Sequence, residues 1–184
     1  MEKYDITKPM KIPVGMHKLN GEPGISFQLN RLVNMDGCDL AVAKEIGLAI
    51  KSASDFYRVL KSRADSELEQ GHIKNAAALY RMSEFYTDWE DPKGLAAWKK
   101  ARELFFRYYA DFFSGERPLV ELVNVPYEDY SMPVLKFNAE KPKGTLITGL
   151  LNIVLYGFGW QTSACPAECV VSFLPRDNNV CRAM

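Results

Sequence analysis

The sequence predicts an α+β protein in which a mainly helical region comes before a β-rich region. Between Ile25 and Phe113 the apolar residues recur at helical spacing, and the stretch contains a single proline, Pro92. After Pro118 the apolar runs become short and rich in Val and Leu, as in strands. The predicted divisions are an irregular N-terminal arm over 1–24, a helical domain over 25–115 and a strand-containing segment over 116–184.

Local start and stop signals delimit the first three predicted helices. An apolar run begins after Gly24 and closes at Gly37. Asp39 can cap the second helix, because a short side-chain oxygen satisfies free amide groups of the first turn. Ser54 can cap the third helix, and Gly71 lies where a left-handed residue would end it.

The fourth and fifth predicted helices contain many of the aromatic residues. The fourth, over 73–87, is apolar around most of its circumference, which is typical of a helix packed on more than one side. Asp91 followed by Pro92 is the strongest helix start in the chain, and Gly115 is the predicted end of the fifth helix. Eleven of the 22 aromatic residues lie between Tyr80 and Phe113.

The residues after Pro118 predict a β-hairpin and a third strand. Two β-rich runs, 119–126 and 133–137, flank a polar segment over 127–132 that reads as the hairpin connection. A second turn is predicted over 141–144, and Thr145 opens the third strand.

Charge and composition argue against several kinds of partner. The formal net charge is zero, with 23 basic and 23 acidic residues interspersed, so no basic surface for nucleic acid is expected. The charged start of the chain argues against a secretory signal, and we expect a cytoplasmic protein. The uncharged run 144–167 contains Gln161 and Pro166, which argues against a membrane-spanning helix.

No metal or cofactor site is predicted. Four cysteines are too few for a disulfide scaffold in a chain of 184 residues. Cys165 and Cys169 have a C-x3-C spacing, but zinc needs four ligands, and the two histidines, His17 and His72, lie far upstream. We therefore expect ordinary thiols.

Several short stretches, taken in order, resemble one enzyme family. They are Phe27–Arg31, Asn75–Tyr80, Ser83–Tyr86, Asp91–Pro92, Val125–Glu128, Pro133–Leu135 and Lys143–Ile147. Their order and spacing resemble the N-terminal part of a bacterial α/β-hydrolase family with a helical N-terminal domain, as in dienelactone-hydrolase-like and pseudooxynicotine-hydrolase-like enzymes. The resemblance implies an α+β fragment: a mainly helical domain, a β-hairpin and the first strands of an incomplete α/β-hydrolase core. It covers about residues 22 to 147, and we expect the chain to be truncated relative to the family.

The resemblance also indicates where an oxyanion hole would lie. In the family the third strand runs into His-Gly-Gly, whose backbone amides bind the tetrahedral intermediate. This chain has Thr148, Gly149 and Leu150 there. Gly149 and Leu150 are thus the candidate oxyanion residues, although the side chain of Leu150 lies where close backbone approach is needed.

No catalytic residue is predicted. The serine of such hydrolases lies in a G-x-S-x-G string, and no such string exists in the chain. The family's acid and histidine follow the serine, whereas His17 and His72 precede the whole strand region. The candidate substrate-pocket residues are four aromatics that could equally be helix core: Phe27, Tyr80, Phe85 and Tyr86.

Two functions remain open from the sequence. The first is the N-terminal cap and first strands of a serine hydrolase, which in the parent family cleaves ester, thioester or carbon–carbon bonds of a small-molecule substrate; we expect this chain to be inactive alone. The alternative is a non-enzymatic helical protein-interaction module. In either case, uncovered apolar surface favours self-association or a protein partner.

Overall fold

The computed structural model describes residues 16–34, 36–88, 90–127, 129–138, 146–149 and 169–172. The described residues form five α-helices and four strands, in that order along the chain. The chain divides into two compact units, Met1–Tyr108 and Tyr109–Met184. The predicted α+β class, mainly helical and then stranded, is confirmed. The predicted domain limits of 1–24, 25–115 and 116–184 stay a prediction.

The first unit contains the five α-helices, all in regions where the sequence predicts helices. They are α1 Pro23–Asn34, α2 Leu40–Ala49, α3 Ala53–Glu69, α4 Ile73–Ser83 and α5 Pro92–Tyr108. A 3-10 turn, Glu84–Tyr86, continues directly from α4. Helix α4 packs against both α3 and α5, as its apolar circumference predicts.

The core of this unit includes the buried face of α3, which packs against α4. Phe56, Leu60 and Ala64 follow one another at i+4 spacing on α3 and are fully buried. The next position of that stripe, Leu68, is only partly buried, and Glu67 is buried instead. The hydrophobic stripe therefore ends one turn before the helix does. The buried carboxylate takes part in a polar network described below.

Two of the three predicted N-caps have geometry that differs from the expectation. Asp39 does precede α2, but its side chain makes no capping hydrogen bond. The N-cap of α3 is Ser52 rather than Ser54, since the helix begins at Ala53; the Ser52 hydroxyl makes no capping bond and instead bonds to the Ser54 hydroxyl at 2.7 Å. Asp91 behaves as predicted: its Oδ1 accepts a hydrogen bond from the amide of Lys93 at 3.0 Å.

The helix ends show one confirmed signal and two corrections. Gly71 has a φ of +81°, the left-handed conformation expected after α3. Helix α4 stops at Ser83 rather than near Thr87, since the Ser83 hydroxyl donates to the Tyr80 carbonyl at 2.8 Å and the chain tightens into the 3-10 turn. Helix α5 ends at Tyr108, before Gly115, and a second 3-10 turn follows in the other unit.

The second unit contains that 3-10 turn, Ala110–Phe113, and one four-stranded sheet. Its strands are β1 Val120–Tyr127, β2 Tyr130–Phe137, β3 Leu146–Gly149 and β4 Cys169–Ser172. The order across the sheet is β1-β2-β4-β3. Pairs β1/β2 and β2/β4 are antiparallel, whereas β3/β4 is parallel.

The predicted hairpin is confirmed with longer strands and a tighter connection. In the register of β1 and β2, Val120 is opposite Phe137 and Tyr127 is opposite Tyr130. Among the described residues β1 is an edge strand of the sheet, and Pro126 lies on it, as is usual for a proline within a sheet. The third strand is close to its predicted position, β4 was not delimited from sequence, and the turn predicted over 141–144 lies outside the described residues.

Candidate functional site

The structure brings two of the four candidate pocket residues together at the C-terminal end of α4. Phe85 and Tyr86 lie in the 3-10 turn and remain 38% and 43% exposed. Their rings meet edge to face, with centroids 5.1 Å apart and planes at 90°. Phe27, on α1, is 49% exposed. Tyr80 is 6% exposed and lies elsewhere.

The exposed pair packs on a buried ring. Phe56 of α3 is completely buried, and its centroid lies 4.7 Å from that of Tyr86 with the planes at 82°. The Tyr86 ring is therefore held by contact with the buried Phe56 ring on one side and contacts the more exposed Phe85 ring on the other. We call Arg31, Phe56, Phe85 and Tyr86 the aromatic cluster.

Arg31 adds a positive charge to the aromatic cluster. Its guanidinium carbon lies 5.7 Å from the centroid of the Phe85 ring, within the range of a cation–π interaction. The guanidinium also donates from Nη1 to Oε1 of Gln28 at 2.9 Å, and Gln28 is buried. Arg31 follows Phe27 by four residues, so that both project from neighbouring positions on α1. That spacing is the sequence signal by which Arg31 could have been added to the candidates.

The phenol of Tyr86 is held close to the first turn of α1. A Cβ atom at Gly24 would lie 3.1 Å from the Tyr86 hydroxyl, so a residue without a side chain permits this approach. Burial raises the pKa of Tyr86, which keeps the phenol protonated at neutral pH. The cluster thus combines apolar ring surface, one hydroxyl group and one guanidinium.

Tyr80 belongs to the contact between α3 and α4 and not to the aromatic cluster. Its hydroxyl donates a short hydrogen bond to Oδ1 of Asp65. Burial, together with this bond and the Asp65 charge, raises the pKa of Tyr80. Asp65 follows Phe56 by nine residues on α3, so the two tyrosines contact that helix roughly 13 Å apart. The helix-core interpretation of Tyr80 fits this position.

The candidate oxyanion residues lie at the end of β3. Gly149 is the last residue of that strand and pairs with Ser172 of the parallel strand β4. Leu150 lies outside the described residues. The oxyanion role of both stays a prediction.

In the described part of the chain, no group of three or more His, Cys, Asp or Glu residues is arranged to hold a metal ion. In the same residues, no helix combines the length and the apolar character needed to cross a membrane.

Comparisons with known proteins give a link at the level of the fold. No protein-family model matches the chain, and no curated protein matches it. Among solved structures, one of "AbyA5 Wildtype" is similar with a TM-score of 0.59 and 13% identity, over 82% of this chain and 44% of that one. A structure of "AbyA5" gives a TM-score of 0.52 and 16% identity, over 74% of this chain and 41% of that one.

The class defined by these findings is a two-unit α+β protein, five helices followed by a mixed sheet. The chain spans less than half the length of the AbyA5 structures it resembles. At these identities the likeness concerns the fold alone.

Proposed function

We propose that this chain is the N-terminal part of a serine α/β-hydrolase-like protein, of the kind that the sequence resemblance indicates. The parent chemistry is hydrolysis of an ester, thioester or carbon–carbon bond in a small molecule. The helical unit contributes to substrate binding, and the strands begin the catalytic core. A cytoplasmic location is part of the same proposal.

The order and direction of the strands carry the proposal. An antiparallel hairpin leads into a parallel pair, and antiparallel edge strands on an otherwise parallel sheet are common in doubly wound α/β folds. Strand β3 ends at Gly149 and β4 begins at Cys169, so 19 positions separate them. A parallel connection needs about a dozen residues or more. The sheet is thus consistent with the opening of an α/β core.

The incomplete coverage of the structural neighbours supports the same proposal. The match to the AbyA5 structure covers 82% of this chain but only 44% of that chain. The matched part of that structure therefore belongs to a longer protein. The resemblance to hydrolases comes from the sequence motifs and not from this neighbour.

The aromatic cluster suits the part of the substrate that does not react. Exposed rings of Phe85 and Tyr86 can bind an apolar acyl or aromatic group, with the Tyr86 hydroxyl as a hydrogen-bond donor. Arg31 can pair with a carboxylate on the same ligand. We therefore propose a substrate with an apolar body and an anionic substituent.

Catalysis by this chain alone is not expected, because it contains no nucleophile elbow and no histidine after its strands. Incubation with a fluorophosphonate followed by intact-mass measurement tests this, with protein unfolded in guanidinium as the control. The proposal predicts no adduct. A stoichiometric adduct on one serine of the folded chain would contradict it.

The gene tests the hydrolase part of the proposal separately. The proposal predicts that DNA downstream of codon 184 encodes, in one of its frames, a hydrolase-like continuation with G-x-S-x-G and a later histidine. Absence of such a continuation from all frames would remove the hydrolase proposal and leave the structural description intact.

A helical interaction module is the second candidate. The observation that favours it is the exposure of large apolar side chains in both units: Met16, Phe27, Leu48, Leu122 and Val125. Hydrogen exchange separates the candidates. A hydrolase portion with an incomplete core predicts strong protection of the five helices and weaker protection of β3 and β4, whereas a self-sufficient module predicts strong protection of the helices and of all four strands.

A further inference from the structure

A polar cavity lies at the N-terminal end of α4, the end opposite to the aromatic cluster. It has a volume of about 790 Å³, within the range of small-molecule sites. It is bordered by the starts of α2 and α4 and by the ends of α3 and α5. The lining residues used below are Cys38, Asp36, Asp39, His72, Lys74 and Arg107.

A buried carboxylate organises one wall of the cavity. Glu67 is 3% exposed and accepts hydrogen bonds from Nε of Arg63 at 3.0 Å and from Nδ2 of Asn75 at 3.4 Å. Its other contact is Nδ1 of His72 at 2.8 Å. Burial opposes ionisation, but the bonds from His72 and Asn75 and the charge of Arg63 outweigh it and lower the pKa of Glu67. Glu67 is therefore an ionised group that only accepts.

This network decides which ring nitrogen of His72 is available to a ligand. Because Glu67 accepts, Nδ1 of His72 is the nitrogen that bears the proton. In the neutral ring Nε2 is then a hydrogen-bond acceptor. The His72 side chain is 55% exposed and lines the cavity, so a ligand hydroxyl can donate to it. The carboxylate fixes the orientation of the ring before any ligand binds.

The charged residues that line the cavity include a guanidinium, Arg107, that can bind an oxyanion and a carboxylate, Asp39, that would repel one. Nζ of Lys74 pairs with Oδ2 of Asp36 at 2.6 Å, so these two charges largely compensate each other. Arg107 is exposed at the cavity and presents a planar guanidinium, which matches carboxylate or phosphate oxygens. Asp39 adds a negative charge at the start of α2, and its side chain makes no capping bond there.

The thiol in the cavity does not suit covalent chemistry. Cys38 is buried, and burial, with the charges of Asp39 and Glu67, raises its pKa to about 12. The group is a thiol at neutral pH and a poor nucleophile. The cavity is therefore suited to reversible binding.

We propose that this cavity binds a small hydroxylated oxyanion, with the ligand hydroxyl donating to Nε2 of His72 and the oxyanion paired with Arg107. Carboxylate and phosphate share this chemistry, and the probes below separate them. The proposal concerns a site distinct from the aromatic cluster and is independent of the hydrolase proposal.

Amide NMR spectra of the full chain, titrated with malate, succinate and inorganic phosphate, test the proposal. Malate should shift the amides around His72 and Arg107. Succinate, which lacks the hydroxyl, should bind about tenfold more weakly. Tighter binding of phosphate than of malate would assign the site to phosphate compounds; the reverse order would assign it to hydroxycarboxylates.

Four variants make the outcome decisive. Arg107→Gln should weaken malate binding about tenfold or more, while the matched control Arg102→Gln, on the same helix outside the cavity, should leave it unchanged. His72→Gln, which keeps a donor for Glu67, should abolish the preference for malate over succinate. Asp39→Asn keeps a capping residue and should strengthen binding. Absence of shifts at the cavity for all three probes, or weaker binding by Asp39→Asn, would overturn the proposal.

Discussion

The two ends of helix α4 differ in almost every physical property. At the C-terminal end the chain tightens into a 3-10 turn that exposes two aromatic rings above the buried Phe56. At the N-terminal end, a cavity opens beside His72 and the buried carboxylate Glu67. About 12 residues, or roughly 18 Å, separate the ends. One helix with an apolar middle can therefore position an apolar surface and a polar cavity whose side chains do not meet.

The largest expected effect concerns the buried ring of Phe56, at the C-terminal end of α4. Phe56→Ala should lower the free energy of unfolding by about 4 kcal/mol, because it removes a fully buried side chain and leaves a cavity beneath Tyr86. Phe85→Ala, at the exposed ring, should cost less than about 1 kcal/mol. Urea denaturation measures both. Equal losses would show that Phe85 belongs to the core and not to an exposed surface.

The next largest effect concerns the hydrogen bonds of Glu67 at the N-terminal end of α4. Glu67→Gln should lower the free energy of unfolding by about 2 to 3 kcal/mol, because Arg63 and His72 lose a charged acceptor in a buried place. The control is Glu69→Gln at an exposed position on the same helix, which should change stability by less than about 0.5 kcal/mol. Denaturation at pH 7 gives both values. If Glu67→Gln lowered the free energy of unfolding no more than Glu69→Gln does, the hydrogen bonds of Glu67 would not contribute to stability.

The pH dependence of stability sharpens the same comparison. The pKa of Glu67 is lower in the folded chain than the unfolded value of about 4.3. Its contribution is therefore fully present above the unfolded pKa and is lost as the pH falls through the folded pKa. Below about pH 4.3, stability should fall more steeply in the native protein than in Glu67→Gln. Parallel acid curves for the two proteins would show that Glu67 is not stabilised as an anion.

A smaller effect is expected at Gly71, in the turn between α3 and α4. Gly71 has a φ of +81°, so Gly71→Ala should cost about 1 kcal/mol through backbone strain, although nothing lies within 4 Å of an added Cβ. Gly21→Ala is the matched control, since its added Cβ is equally free and its φ lies outside the left-handed region. Thermal denaturation compares them, and equal melting temperatures would contradict a left-handed residue at position 71.

The smallest effect concerns the cation at the aromatic end. Arg31→Gln should destabilise the protein by about 0.5 kcal/mol, because the cation–π contact with Phe85 is partly exposed. Arg31→Lys retains the charge and should lose less. Urea midpoints distinguish the variants, and a loss in Arg31→Lys as large as that in Arg31→Gln would indicate that planar hydrogen bonding, not charge, is what matters.

The aromatic end was more predictable from the sequence than the polar end. Helix positions followed from caps and periodicity, and Phe85 and Tyr86 were candidates because half of the aromatic residues lie between Tyr80 and Phe113. Glu67 was not identified as a buried residue, since a charged residue on a helix is normally exposed. Its burial depends on donors from Arg63, His72 and Asn75, which meet only when α3 and α4 are packed.

The cavity could not be predicted for a related reason. Its lining residues come from the segment before α2, from the turn between α3 and α4 with the start of α4, and from the end of α5, so no local spacing marks the site. The misassigned cap at Ser54 and the early end of α4 also involve local hydrogen bonds of hydroxyl groups, between Ser52 and Ser54 and from Ser83 to the Tyr80 carbonyl, which propensity does not fix. Strand β4 was missed because its run of four residues is too short to show a strand periodicity.

One titration tests the separation of the two ends most directly. Amide NMR spectra of the full chain would be recorded with 2-naphthyl acetate, an apolar aromatic ester, and separately with malate. We predict that the ester shifts the amides around Phe85, Tyr86 and Arg31 without being hydrolysed above the buffer rate, and that malate shifts those around His72 and Arg107. Both probes shifting the same residues, or neither probe shifting its own end, would contradict the account.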